Sequence, residues 1–339
     1  MANFIALVYA TLKNEGVNTS GMSTDEAVEK FKQLQKKSGG SGTPAENDKL
    51  KEMGVSEEKT IKDEAIENND IKTISEEEKE RLKNGVINGT ISIDEVKQLP
   101  LVKKAEEGVA IPPNKSTDLI KTPERDELRK EVKDKLLKMG SFSGKVDKKD
   151  TFNGEVKQER IAHIVIGAPA GGKSSVFANP LSQKLGARII DSDEAKKLLP
   201  EYKDGLGAGL VHEESSQIAQ NMVLPEAINN GDNLVIPIVG KTPKSIEKYR
   251  DLLKKNGYKV YLDLNEVGSE TSKKRAFVRF LNTGRFLSFN YLDEIGDKPL
   301  NNYKNYREIG GFDGYAHFNN EVKEGEKPRK IEQTYEFEF

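Results

Sequence analysis

The sequence predicts an α/β protein built on a doubly wound, mainly parallel sheet, preceded by a charged N-terminal region that is mostly helical or partly disordered. Three observations predict this. Apolar runs at 162–166, 187–190, 233–239 and 258–264 alternate with stretches of helical period, the pattern of βαβ units. The first run ends in a glycine-rich turn that leads into a helix. Composition also shifts near residue 125, before which lie polar stretches such as 39–44 and 66–72 with few aromatics.

In chain order, Ser23 with Glu26 forms a capping-box pattern opening a helix with Ala27, Phe31 and Leu34 along one face. Ser75 with Glu78 and Ser92 with Glu95 open two more. These pieces either pack as a helical module or stay tethered and mobile. Composition favours mobility, because little apolar surface is available to offset the ordering entropy. Residues 126–139 have the period of an amphipathic helix and lead into a Gly/Ser/Lys-rich connection. A long helix is expected over 208–230, kinked by Pro225. Thr242-Pro243 opens another, with Ile246, Tyr249, Leu252 and Leu253 inward and Asn256-Gly257 closing it. The expected organisation is a polar region 1–125, an α/β domain 126–328 and a tail 329–339.

Composition excludes several classes. The chain of 339 residues is 35% hydrophobic, against roughly 45–50% for typical globular domains. It is 32% charged with a net charge of −2, which gives no footprint for nucleic acid. It has no cysteine, and His163, His212 and His317 lack metal-ligand spacing, which argues against structural zinc. The apolar run 4–12 is too short to cross a bilayer and lacks both a basic flank and a cleavage site. The expectation is a cytoplasmic protein with no membrane partner.

Chemistry concentrates after the first strand. Gly167, Ala168, Pro169, Ala170, Gly171, Gly172, Lys173 and Ser174 match G-x-x-x-x-G-K-[ST] at every fixed position. Glycines let backbone N–H groups turn toward phosphate oxygens, Lys173 offers a cation, Ser174 a hydroxyl for Mg²⁺, and the following helix its positive end. A chance match in a glycine-rich turn is the bland alternative, and the strand-before, helix-after context opposes it. The third apolar run carries no carboxylate and no N-K-x-D guanine signature is present, which disfavours motors and switches. Instead Asp191-Ser192-Asp193 follows the second run, at the carboxyl end where open parallel sheets bind ligands. Asp193 there either caps a short helix or accepts a proton from an attacking hydroxyl, with Asp191 or Ser192 as the cap. Downstream, Arg275 and Arg279 share a helix face and Arg285 follows the Thr283-Gly284 break. They form either a solvated basic helix or a clamp on phosphate oxygens.

Taken together, these residues resemble the zeta toxin family of phosphate-loop kinases over about residues 160–320. The resemblance is carried by the phosphate loop, Gly186-Ala-Arg-Ile-Ile-Asp-Ser-Asp-Glu194, the helix end at Ala227–Gly231, Asn233-Leu-Val-Ile followed by Gly240-Lys-Thr, and Arg279 with Gly284-Arg285. It implies a P-loop kinase fold that uses ATP and Mg²⁺ to phosphorylate a sugar hydroxyl of UDP-N-acetylglucosamine or a related nucleotide metabolite. It implies nucleotide contacts from the loop through Ser175 and from Arg275, and metal contact from Ser174. Asp193 becomes the base, with Lys173, Arg279 and Arg285 around the transferred phosphate and Asp191 on the substrate side. A partner antitoxin or immunity protein is a further implication, although nothing here resembles the short helical antitoxin of some members. One departure matters: members carry a glutamate where this chain has Pro237, so a substrate contact must be missing or come from elsewhere, with Glu213 and Glu214 as candidates. The alternatives are a kinase of another small metabolite and a non-catalytic nucleotide-binding module.

Overall fold

The computed structural model describes residues 71, 74–109, 116–323 and 325–336, preceded only by positions 12, 17–19, 22, 23, 27 and 30. The chain divides into two units, Met1–Thr60 and Ile61–Phe339. Only scattered positions of the first are described, so most of the helix expected from Ser23 and of the apolar run 4–12 lies outside the described residues. Everything below concerns the second unit.

Among its described residues three α-helices come first: α1 (Glu76–Asn88), α2 (Ile93–Gln98) and α3 (Pro100–Val109). Their starts are the predicted ones. Ser75 Oγ accepts the Glu78 amide, and Ser92 with Glu95 completes a reciprocal capping box. Helix α4 (Pro123–Lys138) is capped by Thr122 with proline in its first turn, three residues earlier than the periodicity alone suggested. A hairpin of β1 (Gly144–Val146) and β2 (Lys149–Thr151) leads to β3 (Ile161–Ile166). Then follow α5 (Asn179–Leu185), β4 (Arg188–Ile189), α6 (Ser192–Lys197), α7 (His212–Gln217), α8 (Leu224–Asn230), β5 (Leu234–Pro237) and α9 (Pro243–Lys255). The chain continues through β6 (Lys259–Glu266), α10 (Ser269–Thr283), α11 (Phe289–Ile295), α12 (Lys298–Ile309), β7 (Gly314–Asn319) and β8 (Arg329–Gln333).

The main sheet has the order β4-β5-β3-β6-β7-β8, parallel except for the β7–β8 pair. The predicted doubly wound α/β fold is therefore present. Strand β3 lies between β5 and β6, so the turn after it opens where successive connections diverge to opposite sides. Alternation along β3 explains the two cores. Ile164 and Ile166 join Leu262, Leu264, Ile246 and Tyr306 on one face, while Val165 joins Phe177, Leu181 and Ala316 on the other. His163 points to the second face, its Nδ1 2.7 Å from Asp263, whose other oxygen accepts Tyr335 Oη at 2.7 Å. It is a core residue.

The structure differs from expectation in three places. The helix expected over 208–230 is broken: α7 passes into a π-helical turn, Ile218–Val223, before α8. Pro225 in the first turn of α8 has no N–H for the preceding carbonyls, and the backbone widens there. The stretch taken as a tail supplies β8, the antiparallel edge strand. Finally, α1–α3 are not free of the rest of their unit. Leu82, Val86, Val96 and Val102 share a core with Phe277, Phe280, Phe289 and Leu292. Glu106 accepts the Phe289 amide at 2.6 Å, and Lys97 pairs with Asp293. Apolar residues that are few but fall on one face suffice to cover an apolar helix pair.

Candidate active site

The turn after β3 is shaped by its carbonyls as much as by its glycines. Gly171 O accepts three donors: Asn265 Nδ2 (2.8 Å), Asn320 Nδ2 (2.7 Å) and Arg275 Nη1 (3.2 Å). Those bonds fix the position of the carbonyl, and with it the turn of the loop. A Cβ on Gly172, at φ 87°, would lie 2.8 Å from Asn320 Nδ2, so a side chain there would break this brace. Ser272 Oγ fixes Pro169 O from α10 at 2.5 Å. Lys173 Nζ folds back on its own loop and donates to Gly167 O (2.9 Å) and Ala168 O (3.0 Å). Burial pushes this ammonium down to about 8, against the pull of Asp191 and Asp193.

Pro169 through Ser174 form one wall of a cavity of about 670 Å³. Gly167 and Ala168 lie beneath it as acceptors for Lys173, and Ser175 Oγ donates to Gly172 O at 3.0 Å. Arg275 reaches the cavity, but its guanidinium also donates to the carbonyls of Asn320 and Val322, both at 2.9 Å. It braces the loop.

The aspartate turn forms the facing wall. Asp191 caps α6 by accepting the Asp193 amide at 2.9 Å, so the cap is Asp191 and not Asp193. The Asp193 carboxylate is gripped bidentately by Arg285 (2.7 and 2.8 Å) and also by Lys196 Nζ at 2.9 Å. Although burial opposes its charge, Lys196 and Arg285 hold that carboxyl well below the usual carboxylate range. Burial and the adjacent Asp193 charge push Asp191 up to about 6.

Helix α10 carries Arg279 one turn beyond Arg275, and its glycine cap Gly284 turns the chain so that Arg285 comes back over Asp193. Gly205, at φ 114°, permits that return: a Cβ there would sit 3.0 Å from both Arg285 Cβ and Thr283 O. Arg279 lines the cavity with its Nε buried and, among the described residues, without a hydrogen-bond partner. Burial, then the Arg285 charge, lowers its hold on its proton.

Two expectations require correction. Glu213 and Glu214 are not at the cavity. Glu213 is exposed, and Glu214 is wholly buried on the other side of α7, held by Arg125 and by Arg129 Nε at 2.8 Å. Arg125 also grips Glu201 at 3.0 Å. The helix turns its His212 and Ser216 to the cavity and its second glutamate into a buried ion cluster. Neither glutamate stands in for the acid absent at Pro237, which itself lines the cavity. Lys196, Gln220 and Tyr291 on the walls, and Asn265 and Asn320 beneath the loop, had no sequence motif to announce them.

The zeta toxin family model matches residues 146–308. Over that span the chain is similar to the zeta toxin family. Its matched span runs from β1 into α12 and includes the phosphate loop, the aspartate turn and all three arginines. Solved structures with some likeness include one from the PezAT chromosomal toxin–antitoxin system of Streptococcus pneumoniae, at 16% identity and TM-score 0.49, covering 63% of this chain and 83% of that one. Another is AvrRxo1-ORF1:-ORF2 with ATP, at 15% identity and TM-score 0.43, covering 72% and 76%. No curated protein sequence matches. The matched span includes the cavity's motif-bearing walls, while α1–α3 lie outside it. Among the described residues, no helix is long and apolar enough to cross a membrane.

Proposed function

We propose that the α/β domain is an ATP- and Mg²⁺-dependent kinase that phosphorylates a hydroxyl of a small acceptor, UDP-N-acetylglucosamine or a related nucleotide metabolite. The observation that carries the reading is a single cavity with the phosphate loop on one side, an aspartate turn opposite, and Lys173, Arg279 and Arg285 between them. The loop fits a nucleotide: its lysine and the glycines that admit no Cβ are what a triphosphate requires. The donor set also fits Mg²⁺. Among the described residues no cluster of acidic or histidine side chains would cage a metal alone. Mg²⁺ is commonly held by one hydroxyl or carboxylate together with substrate phosphates and water, and Ser174 would supply that hydroxyl. When bound, the ion neutralises phosphate charge.

In this reading Lys173 leaves its loop carbonyls for the β- and γ-phosphates. Arg279, with an unsatisfied buried donor, meets charge developing on the transferred group. An aspartate of the turn takes the acceptor proton, a role that the family resemblance gives to Asp193. Nucleotide contacts from 167–175 and Arg275, and substrate contact from Asp191, complete the proposal, as do action in the cytoplasm and a neutralising antitoxin or immunity partner. The kinase domain is proposed over 126–328. Pro237 in the wall favours one variation, an acceptor other than the nucleotide sugar, because no carboxylate replaces the glutamate of the family.

The test measures ATP consumption by the full chain with and without UDP-N-acetylglucosamine, and against a metabolite extract with mass-spectrometric product analysis. Acceptor-dependent ADP release, lost in Lys173→Ala together with nucleotide binding, is the expected result. Tight nucleotide binding with no turnover on any acceptor leaves only a binding module.

A further inference from the structure

We propose that Tyr291 contacts the acceptor in the cavity and that Glu106, outside the span similar to zeta toxins, is the positioning residue that keeps it there. This inference rests on the kinase reading above. Tyr291 stands on α11, a helix of seven residues. A helix that short is marginal by itself, because few hydrogen bonds offset the cost of its first turn. Its place depends on what ties it down, and several ties come from the N-terminal helices. The Glu106 carboxylate on α3 accepts the amides of Phe289 at 2.6 Å and of Asn290 at 3.4 Å. Ser288 Oγ accepts that of Tyr291 at 3.1 Å, so the first three donors of α11 are met, two of them by Glu106. Lys97 on α2 pairs with Asp293 at 3.3 Å, and Lys273 on α10 pairs with the same carboxylate. Phe289, Leu292 and Ile295 join the core that holds Leu82, Val86 and Val102.

Tyr291 is not part of that core. It is 36% exposed and lines the cavity. Lys241 Nζ lies 5.4 Å from its ring centroid, a cation–π distance, and bonds Glu294 on the same helix at 2.6 Å. Those contacts place the ring beside the chain that leaves β5. Sheet order decides which substrate this concerns. Strand β4, which leads into the aspartate turn, and β5, which ends at Pro237, lie on one side of β3. Asn265 of β6 and Asn320 after β7, which brace the phosphate loop, lie on the other. Tyr291 therefore belongs with the aspartate turn, where the kinase reading puts the acceptor hydroxyl and where Pro237 leaves a contact to be supplied. An aromatic ring fixed beforehand by a cation and a capped helix offers a large contact area with little left to order on binding.

The experiment compares Tyr291→Ala, Glu106→Ala, Glu106→Gln and the Tyr291→Ala/Glu106→Ala pair in the full chain, with ATP and the acceptor identified by the extract assay. Expected for Tyr291→Ala is a rise of about tenfold in KM for the acceptor, with affinity for a non-hydrolysable ATP analogue unchanged. Glu106→Ala should raise the same KM, and the pair should do no more than Tyr291→Ala alone, since both changes remove one contact. Glu106→Gln keeps an oxygen for the two amides and should restore most of the native KM. Glu106→Asp, with a carboxylate one carbon shorter, replaces Glu106→Ala if that variant does not fold. Hydrogen exchange gives a readout apart from turnover: the Phe289 and Asn290 amides should exchange faster in Glu106→Ala than in native or Glu106→Gln protein. An unchanged acceptor KM in Tyr291→Ala, or a loss confined to ATP binding, overturns the contact and leaves the kinase reading standing. Effects that add in the pair, or native exchange at Phe289 and Asn290 in Glu106→Ala, overturn the positioning role. A native chain inert toward every acceptor refutes the kinase reading and this inference with it.

Discussion

Arg279 is the residue on which the candidate chemistry turns most directly. Its Nε is buried with no acceptor among the described residues, and leaving a buried donor unpaired is costly. The neighbouring arginines are differently placed: Arg275 is spent on loop carbonyls and Arg285 on Asp193. Arg279→Lys keeps the charge but loses the planar fork. It is expected to lower kcat by about 10²–10³-fold, as removal of one transition-state donor does, while affinity for a non-hydrolysable ATP analogue changes little. Steady-state turnover beside calorimetric binding checks this, and an equal loss in both would reassign Arg279 to ground-state binding. At this scale the sequence was legible where function follows chain spacing. The loop and its lysine were readable because eight consecutive residues make the cradle. Glu214 was misread because the side of α7 that faces the cavity is fixed by Arg125 and Arg129, far away in the chain.

That ion cluster acts between elements. Arg125 sits at the start of α4 and grips both Glu201, in the turn after α6, and Glu214 on α7. Helices α6 and α7 carry Asp193, Lys196 and His212 on the cavity walls, so Arg125 sets the separation of those walls. Arg125→Ala leaves two buried carboxylates without their shared cation, a change that costs about 3–5 kcal/mol when a buried pair loses one partner. The expected result is a fall of that size in urea-unfolding free energy with an unchanged m-value. A shift within error would mean that water replaces the guanidinium. The sequence signalled α4, but an arginine inside an amphipathic helix carries no local mark of being buried.

At the scale of the second unit, α1–α3 complete the core beneath α10 and α11. Leu82 is almost fully buried there against residues from both. Leu82→Ala is expected to cost about 2–5 kcal/mol, and because the core is shared the loss should lower one common melting transition. Two separate calorimetric transitions, with only the lower one moved, would show instead that α1–α3 unfold by themselves. Mobility was the sequence expectation for this stretch, since average apolar content measures how much surface a segment offers and not whether a partner surface waits for it.

By itself the sequence determined the parallel strands, the phosphate loop and the aspartate turn. Each depends on neighbours in the chain: side-chain period, glycine freedom, capping oxygens, a strand that ends where a helix begins. The tertiary structure alone decided that Asp193 is gripped by Arg285 while Asp191 caps α6, that Glu214 belongs to a buried ion cluster, and that β8 closes the sheet edge. Those outcomes depend on which distant side chain arrives at each carboxylate. Burial and pairing between remote residues are set by packing, which no local pattern encodes.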